Sequence, residues 1–249
     1  MIRLAENCRH GRFLYLDTDQ YIGACIERFG EYSENEVEIF RQLLRPRNVV
    51  VEAGANIGTH TVPLSKIVGS EGLVWAFEPQ PHIFNVLCGN LALNDCFNVR
   101  PIASGLAAED STMSRPMMDY SSSNNFGGVS LKTFGNGPGV PVVALDKLDI
   151  KVLHLLKADV EGMEAEVLRG GRETILRCRP YLYLEDDRVE KSEALRVLLD
   201  ELGYTVHYHE TLIAAQENWR NNPDNRFDGF QIASLNLLCI PKERPVEFA

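Results

Sequence analysis

The sequence lacks any segment of the kind that crosses a membrane. None of its apolar runs approaches the ~20 consecutive residues that a transmembrane helix needs. The first residues, Met1 to Phe13, are too polar and too charged for the apolar region of a signal peptide. We therefore predict a cytoplasmic protein without a membrane partner.

Closely spaced cysteines are absent as well. The chain has six cysteines, no two of which form a CxxC pair, and most of them stand among apolar residues. A structural zinc site needs ligands that lie close together in the sequence. The pattern is typical of reduced, partly buried thiols.

Positive charge is scarce and dispersed. The sequence has 25 lysines and arginines against 35 aspartates and glutamates, which gives a formal net charge of -10. Its longest basic cluster, Arg41 to Arg47, is interrupted by leucines and a proline. An acidic chain repels nucleic acid unless it concentrates basic residues locally. We therefore predict no nucleic-acid partner.

What the sequence does contain is a regular alternation of strand-type and helix-type segments. Its 249 residues are compatible with one large domain. Apolar runs and helical spacing predict strands at 49–51, 73–77, 99–103, 152–156, 181–184, 205–208 and 237–240, and helices at 59–68, 81–94, 163–176 and 193–202. The composition of residues 107–141 predicts loops and short antiparallel strands.

This order predicts an α/β fold with a Rossmann-like, mostly parallel sheet and helices on both of its faces. Residues 1–48 are predicted to be an N-terminal extension that packs on the core, with a strand at 13–16 and a helix between Asn35 and Pro46. In such sheets a ligand binds at the carboxyl ends of the strands. Candidate site residues are therefore expected where the strands end.

A glycine-containing turn follows the first predicted strand of the sheet. Gly54 permits a tight turn, and Gly58 opens a helix whose N-terminal amides carry partial positive charge. A dinucleotide site would use GxGxxG and bind a pyrophosphate there, but Asn56 stands where the second glycine belongs. Glu52 would repel a pyrophosphate and can attract an ammonium group. The motif therefore favours S-adenosylmethionine over NAD, although an ordinary strand–turn–helix with packing glycines also fits it.

A second acidic residue ends the next strand. Glu78 lies 24 residues after Gly54, at the carboxyl end of the strand predicted at 73–77. A carboxylate at this position can accept hydrogen bonds from both ribose hydroxyls of a nucleoside. NAD and S-adenosylmethionine both contain a ribose, so Glu78 does not discriminate between them.

Carboxylates also cluster after the fourth major strand. Asp159 and Glu161 follow an apolar run, Gly162 allows a turn, and Glu164 falls in the first turn of the next helix, where negative charge suits the helix dipole. Asp159 or Glu161 is predicted to act as a general base on a substrate hydroxyl. Asp159 is also assigned to the cofactor site.

The fifth strand ends in three further acids, Glu185 to Asp187. Asp159 with Glu185 or Asp186 would supply oxygen ligands suited to magnesium. The same acids also fit the N-cap of the following helix, and we predict no metal.

These motifs together resemble a known family. The strings VVVEAGANIGTHT, FEPQP, LLKADVEGMEAEVLRGG and RPYLYLE look like the FkbM-type S-adenosylmethionine-dependent methyltransferases. The resemblance covers roughly residues 35–240 and implies a class I methyltransferase fold. We predict that the methyltransferase domain spans residues 49–249 and that the last strand of its sheet is antiparallel. The resemblance also implies that the cofactor lies over Gly54 to Gly58, with Glu78 on its ribose.

The resemblance implies O-methylation of a hydroxyl group on a small molecule, such as a sugar or a natural product. Family motifs do not fix the substrate residues. We expect substrate selection in the N-terminal extension and at 218–228, with Tyr32, Trp219 and Arg226 as candidates. The segment 124–131 is expected to help cover the cleft.

Alternatives remain open at this stage. A nicotinamide-dependent oxidoreductase predicts the GxGxxG motif that the sequence lacks, and a nucleoside-binding protein without turnover would keep the fold. Amino-methylating enzymes of nucleic acids usually carry an Asn- or Asp-Pro-Pro-aromatic motif, whereas Asp159 is followed by Val160. The sequence leaves the oligomeric state open. Asp146, before the fourth major strand, is expected to be structural.

Overall fold

The computed structural model describes residues 1–131, 137–227, 229 and 231–244 of the chain. Within these residues the strands are β1 (Ile2–Cys8), β2 (Gly11–Leu16), β3 (Val49–Ala53), β4 (Leu73–Phe77), β5 (Val99–Ile102), β6 (Gly105–Leu106), β7 (Ser111–Ser114), β8 (Gly139–Val143), β9 (Leu155–Ala158), β10 (Tyr181–Glu185), β11 (Tyr204–Leu212) and β12 (Ala233–Pro241). The helices are α1 (Ile22–Phe29), α2 (Glu34–Leu43), α3 (Thr61–Val68), α4 (Pro81–Leu93), α5 (Glu164–Gly170), α6 (Arg172–Cys178) and α7 (Val189–Glu201).

The central sheet has the strand order β11-β12-β10-β9-β3-β4-β5. The pairs β3–β4, β4–β5, β3–β9 and β9–β10 are parallel, whereas β12 lies antiparallel between β10 and β11. Short apolar runs such as Val49 to Val51 suit this sheet because its strands are buried on both faces. The prediction of a mostly parallel α/β sheet with an antiparallel last strand is confirmed.

Two apolar cores lie on opposite faces of the central sheet. Val50 and Leu155 belong to the core under α1 to α4, and the residues that follow them, Val51 and Leu156, belong to the core under α5 to α7. This division follows from the two-residue period of a strand. The sheet therefore lies between two helical layers. Because β3, β4, β9 and β10 run parallel to one another, their carboxyl ends meet at one edge of the sheet.

The N-terminal residues lie on the face covered by α1 to α4. β1 and β2 form an antiparallel pair, and β2 is attached to α4 through Asn90. The side chain of Asn90 accepts a hydrogen bond from the Leu14 amide at 2.6 Å and donates one to the Leu14 carbonyl at 2.9 Å. Farther along, Phe40 of α2 packs edge-on against Tyr183 of β10, with ring centroids 5.1 Å apart. These contacts bring α2 close to the strand ends.

One predicted strand is displaced. The apolar run at 152–156 predicts a strand there, but β9 begins at Leu155 and ends at Ala158. Val152 is 53% exposed and lies outside the sheet. The true end of β9 includes Lys157, a residue that an apolar pattern does not indicate.

The helix predicted at 163–176 consists of two helices, α5 and α6, which meet at Gly171. Leu145 packs against this glycine, since an added Cβ would lie 2.7 Å from Leu145 Cδ2. Both carboxylate oxygens of Asp146 accept hydrogen bonds from amides in the first turn of α6, at 2.9 and 2.8 Å. Asp146 therefore has the structural role that the sequence predicts for it.

One helix of the N-terminal region was not predicted. The residues Ile22, Cys25, Ile26 and Phe29 of α1 are buried. Their spacing of three and four residues is the signal that could have revealed this helix.

The helices and the cysteines of the described residues can be compared with the sequence. Within the described ranges, no helix combines the length and the apolar character that a bilayer span demands. All six cysteines are free, and Cys8, Cys25, Cys96 and Cys239 are buried. The partial burial of the cysteines agrees with the sequence prediction.

Candidate active site

A cavity of about 300 Å³ opens at the carboxyl ends of β3, β4, β9 and β10. This is the edge at which the sheet topology predicts a ligand. The cavity brings together most of the predicted site residues, namely Glu52, Gly54, Asn56, Glu78, Asp159 and Glu161. Gly58 is not among its lining residues.

Gly54 lies where the turn after β3 meets the turn after β9. Its φ is +83°, and a Cβ at this position would lie 1.9 Å from the Asp159 carbonyl oxygen. The amides of Gly54 and Ala55 both donate to the Phe77 carbonyl, at 3.0 and 2.9 Å. The glycine thus serves a close approach between two backbones, in addition to the turn that the sequence predicts.

Asn56 and Gly58 complete this turn in left-handed conformations, with φ of +49° and +91°. The Asn56 side chain accepts a hydrogen bond from the Ile57 amide at 2.7 Å, which is how asparagine tolerates this region. A Cβ at Gly58 would lie 2.8 Å from Leu87 Cδ1. Gly58 therefore allows α4 to pack closely and has no direct place in the cavity.

Glu78 is buried beside this turn, with both carboxylate oxygens facing backbone amides. Oε2 accepts from the Asn56 amide at 3.0 Å, and Oε1 accepts from the Gln80 amide at 2.8 Å. Burial raises the pKa of Glu78 to about 7, although these two amides oppose the rise. A carboxylate has about four acceptor positions, so further donors can be accepted from the cavity. This arrangement fits the paired hydroxyls of a ribose.

Glu52 is buried at the end of β3, directly beside Lys157 of β9 in the parallel register. The Thr61 hydroxyl donates a hydrogen bond to Glu52 Oε2 at 2.6 Å. Burial raises the pKa of Glu52 to about 7, and Lys157 opposes this rise. The predicted carboxylate therefore stands at the base of the cavity with a cation next to it.

Lys157 is the cavity residue that sequence reasoning missed. It is 1% exposed, and its ammonium lies 3.3 Å from Asp159 Oδ2. Burial favours the neutral amine, but the carboxylates of Asp159, Glu36 and Glu52 outweigh it and raise the pKa of Lys157. The signal that could have found it is a lone lysine in a buried apolar strand, which needs a charged partner.

Glu36, a cavity residue from α2, was also missed. It is buried, and its Oε1 accepts a hydrogen bond from the Ser33 hydroxyl at 2.8 Å. Burial raises the pKa of Glu36 to about 7, against the influence of Lys157. In the sequence this residue has the pattern of a solvated helix face, so only the packing of α2 on the sheet reveals it.

Each of the two predicted catalytic carboxylates has a cationic partner. Asp159 pairs with Lys157, as described above, and its side chain is 38% exposed. Glu161, whose φ is +56°, pairs with Arg188. Burial and the charge of Asp159 raise the pKa of Glu161, while Arg188 opposes them.

Glu185, at the end of β10, completes a group of three acids. Oxygen atoms of Asp159, Glu161 and Glu185 all lie within 4.8 Å of one another, a spacing that carboxylates without a metal also show. Glu185 Oε2 is buried and has no hydrogen-bond partner among the described residues. Asp186 does not join this group, because its Oδ2 accepts a hydrogen bond from the Ser192 hydroxyl at 2.6 Å.

The residues expected to select the substrate are only partly brought together. Tyr32 lines the cavity, as do residues of the segment 124–131. Trp219 and Arg226 do not line it: the Trp219 indole donates to Asn7 Oδ1 at 3.0 Å, and the Arg226 carbonyl accepts from Arg28 at 3.2 Å. The end of the predicted stretch, residue 228, lies outside the described residues.

The family of this protein is shown by the domain that its sequence matches. The FkbM methyltransferase domain matches residues 52–206, which is more than half of the chain. The chain therefore belongs to the FkbM methyltransferase domain family. S-adenosylmethionine is the cofactor that this membership assigns, as predicted, and the topology of the sheet is that of the class I methyltransferases.

Two curated relatives are fungal methyltransferases. The chain is 30% identical to methyltransferase sdnD of Sordaria araneosa, over 49% of this chain and 59% of that protein. It is 29% identical to methyltransferase 1 of Beauveria bassiana (strain ARSEF 2860), over 49% of this chain and 57% of that protein. The match thus spans less than two thirds of the length of these relatives.

Among solved structures, the chain is similar to the crystal structure of methyltransferase FkbM from Methylobacillus flagellatus KT. The two share 17% sequence identity with a TM-score of 0.47. The match covers 82% of this chain and 50% of the solved one.

Proposed function

We propose that this protein transfers a methyl group from S-adenosylmethionine to a hydroxyl group of a small molecule. The observation that carries the proposal is the Glu78 carboxylate, which is buried, anchored by two backbone amides and open to the cavity for further donors. A ribose presents two neighbouring hydroxyl donors, and Glu78 suits both. Glu52, Gly54, Asn56 and Asp159 complete the proposed cofactor site.

The charge of the cavity supports a cationic nucleoside over a phosphorylated one. Among the described residues, one lysine lines the cavity, Lys157, together with seven acidic residues: Glu36, Glu52, Glu78, Asp159, Glu161, Glu185 and Asp187. A pyrophosphate would meet repulsion from these acids, whereas an ammonium and a sulfonium would be attracted. The excess of acidic residues in the cavity and the methyltransferase family both argue against a nicotinamide-dependent oxidoreductase.

When bound, S-adenosylmethionine supplies an electrophilic methyl group on a positively charged sulfur. The protein's own residues would hold the donor, align the acceptor oxygen and exclude water from the reacting atoms. Asp159 and Glu161 are the carboxylates proposed to act on the acceptor, as base or as hydrogen-bond acceptor. Gly58 would contribute indirectly, through the packing of α4 behind the turn.

The negative net charge of the chain leads us to propose a small-molecule acceptor and no nucleic-acid partner. The chain's net charge of -10 opposes binding to a polyanion. A hydroxyl acceptor also agrees with carboxylates at the reacting end, because such an acceptor must lose a proton when its oxygen is methylated.

Methyl transfer to a panel of small polyhydroxylated and natural-product compounds tests this proposal. Formation of S-adenosylhomocysteine is measured, and mass spectrometry locates the added methyl group. We expect a methyl ether whose formation depends on the acceptor and on Asp159. Methylation at nitrogen alone would contradict the proposed acceptor type, and cofactor binding without turnover on any compound would favour a non-catalytic nucleoside-binding protein.

A further inference from the structure

Glu185 lies between two cavities. It lines the cavity described above and also a second one of about 660 Å³, between β7, α5 and α7. Met163, Leu131 and Asp187 are shared by both cavities as well. The lining of the second cavity combines apolar residues such as Met113 and Leu195 with charged ones such as Glu166, Arg169 and Lys191.

The neighbouring carboxylates differ from Glu185 in their partners. Asp159 is paired with Lys157 and Glu161 with Arg188. A carboxylate that is held by a cation is a weaker base than one that is not. Glu185 Oε2, by contrast, is buried and has no hydrogen-bond partner within the described ranges. A buried polar atom without a partner is uncommon in a folded protein and needs an explanation.

We propose that Glu185 is the group that finally accepts the proton of the acceptor hydroxyl, while Asp159 and Glu161 keep the role of hydrogen-bond acceptors for that hydroxyl. This inference rests on the proposed methyl transfer. In the step, the O–H bond of the acceptor breaks and its proton passes to the Glu185 carboxylate. The acceptor oxygen forms the new C–O bond to the methyl carbon, and the S–C bond breaks to leave a neutral thioether. All atoms and charges are accounted for without a further reactant.

The charges around Glu185 explain how it would be switched into its basic form. Burial raises the pKa of Glu185 well above its usual range, and the carboxylates of Asp159, Glu161, Asp187 and Glu164 raise it further. The other groups that face it are Arg188 of the turn before α7 and Tyr32 of the N-terminal region. Both influences favour the protonated form of Glu185 in the absence of a ligand. A sulfonium at the end of the first cavity would lower the pKa of Glu185 and release this proton.

The test compares S-adenosylmethionine with S-adenosylhomocysteine, which has the same ribose and amino acid but no positive sulfur. Titration calorimetry at about pH 8, in buffers of different ionisation enthalpy, gives the number of protons released on binding. We expect the wild-type protein to release up to about one more proton with S-adenosylmethionine than with S-adenosylhomocysteine. Equal release with the two ligands would overturn the inference without any variant.

Two variants locate the effect. Glu185→Gln is expected to bind S-adenosylhomocysteine as the wild type does and to lose the difference in proton release. Glu38→Gln is the control and should keep the difference in proton release, because Glu38 is exposed on α2 and its charge does not act on Glu185. A difference that persists in Glu185→Gln would assign the proton to another group and refute the role of Glu185.

The two proposals fail in distinguishable ways. If neither ligand binds the wild-type protein, the proposed methyltransferase function is wrong. If both bind with the same proton release, the cofactor site stands and only the role of Glu185 is lost.

Discussion

Gly54 combines a left-handed backbone with a contact to the neighbouring strand turn. Its φ of +83° strains any other residue, and an added Cβ would meet the Asp159 carbonyl at 1.9 Å. Gly69 is a matched comparison, because its φ is +68° but nothing lies within 4 Å of an added Cβ. The two glycines therefore separate backbone strain from steric overlap.

We expect Gly69→Ala to cost about 1–3 kcal/mol of unfolding free energy, because φ of 68° with ψ of 176° is a backbone region that alanine rarely adopts. Gly54→Ala should cost at least about 2 kcal/mol more, since the turns after β3 and β9 must separate. Urea denaturation measures both values. Equal losses in the two variants would mean that the contact between Gly54 and Asp159 has no energetic weight.

The sequence predicts the acids of the site well and their partners poorly. Glu78 and Asp159 were expected because they end strands whose carboxyl ends must converge in a parallel sheet. Lys157 and Glu36 were missed because their burial depends on how α2 packs on the central sheet, which no local pattern encodes. The pairing of Glu161 with Arg188 likewise depends on tertiary structure.

At the scale of elements, the break between α5 and α6 depends on Asp146. Its carboxylate accepts hydrogen bonds from two amides in the first turn of α6, which have no partner within that helix. Asp146→Ala should lower the unfolding free energy by about 1–2 kcal/mol. The control is Asp200→Ala, whose exposed side chain pairs with Lys242 and should cost less than about 0.5 kcal/mol. Chemical denaturation measures the two losses, and an equal effect would refute the capping role.

Strands and helices were predictable to different degrees. The strand at 73–77 was predicted with its observed limits, because it is apolar throughout. β11 and β12 are each longer than their predicted apolar segments, since their ends carry polar residues on an edge hairpin. The prediction of one helix at 163–176 is wrong at Gly171, where the chain divides into α5 and α6. The helical spacing of the apolar residues continues through this break, because tertiary contacts impose it. Residues 132–136, within the predicted loop region, lie outside the described ranges.

At the scale of the whole molecule, the buried acids make stability depend on pH. Burial raises the pKa values of Glu36, Glu52 and Glu78 to about 7, whereas in the unfolded chain they are near 4.3. The native state thus binds more protons between these values. The unfolding free energy contributed by these groups is therefore present at low pH and is lost as pH rises through about 7.

We expect the ligand-free protein to lose unfolding free energy between about pH 5 and pH 8, and Glu78→Gln to lose roughly 1–3 kcal/mol less over this range. Urea denaturation at several pH values measures the two slopes. Glu38→Gln is the control, because Glu38 is exposed on α2 and should leave the slope of the wild type unchanged. A variant Glu78→Gln with the slope of the wild type would show that Glu78 is ionised in the folded protein throughout.

The central claim is that the turn after β3 and the acid at the end of β4 bind a cationic nucleoside without phosphate. Calorimetric titration of the wild-type protein and Glu78→Gln with S-adenosylmethionine and with NAD tests it most directly. We predict that the wild type binds S-adenosylmethionine and not NAD, and that Glu78→Gln binds it about tenfold or more weakly, as loss of charge-assisted hydrogen bonds to the ribose requires. Binding of NAD in preference, or an unchanged affinity in Glu78→Gln, would contradict the account.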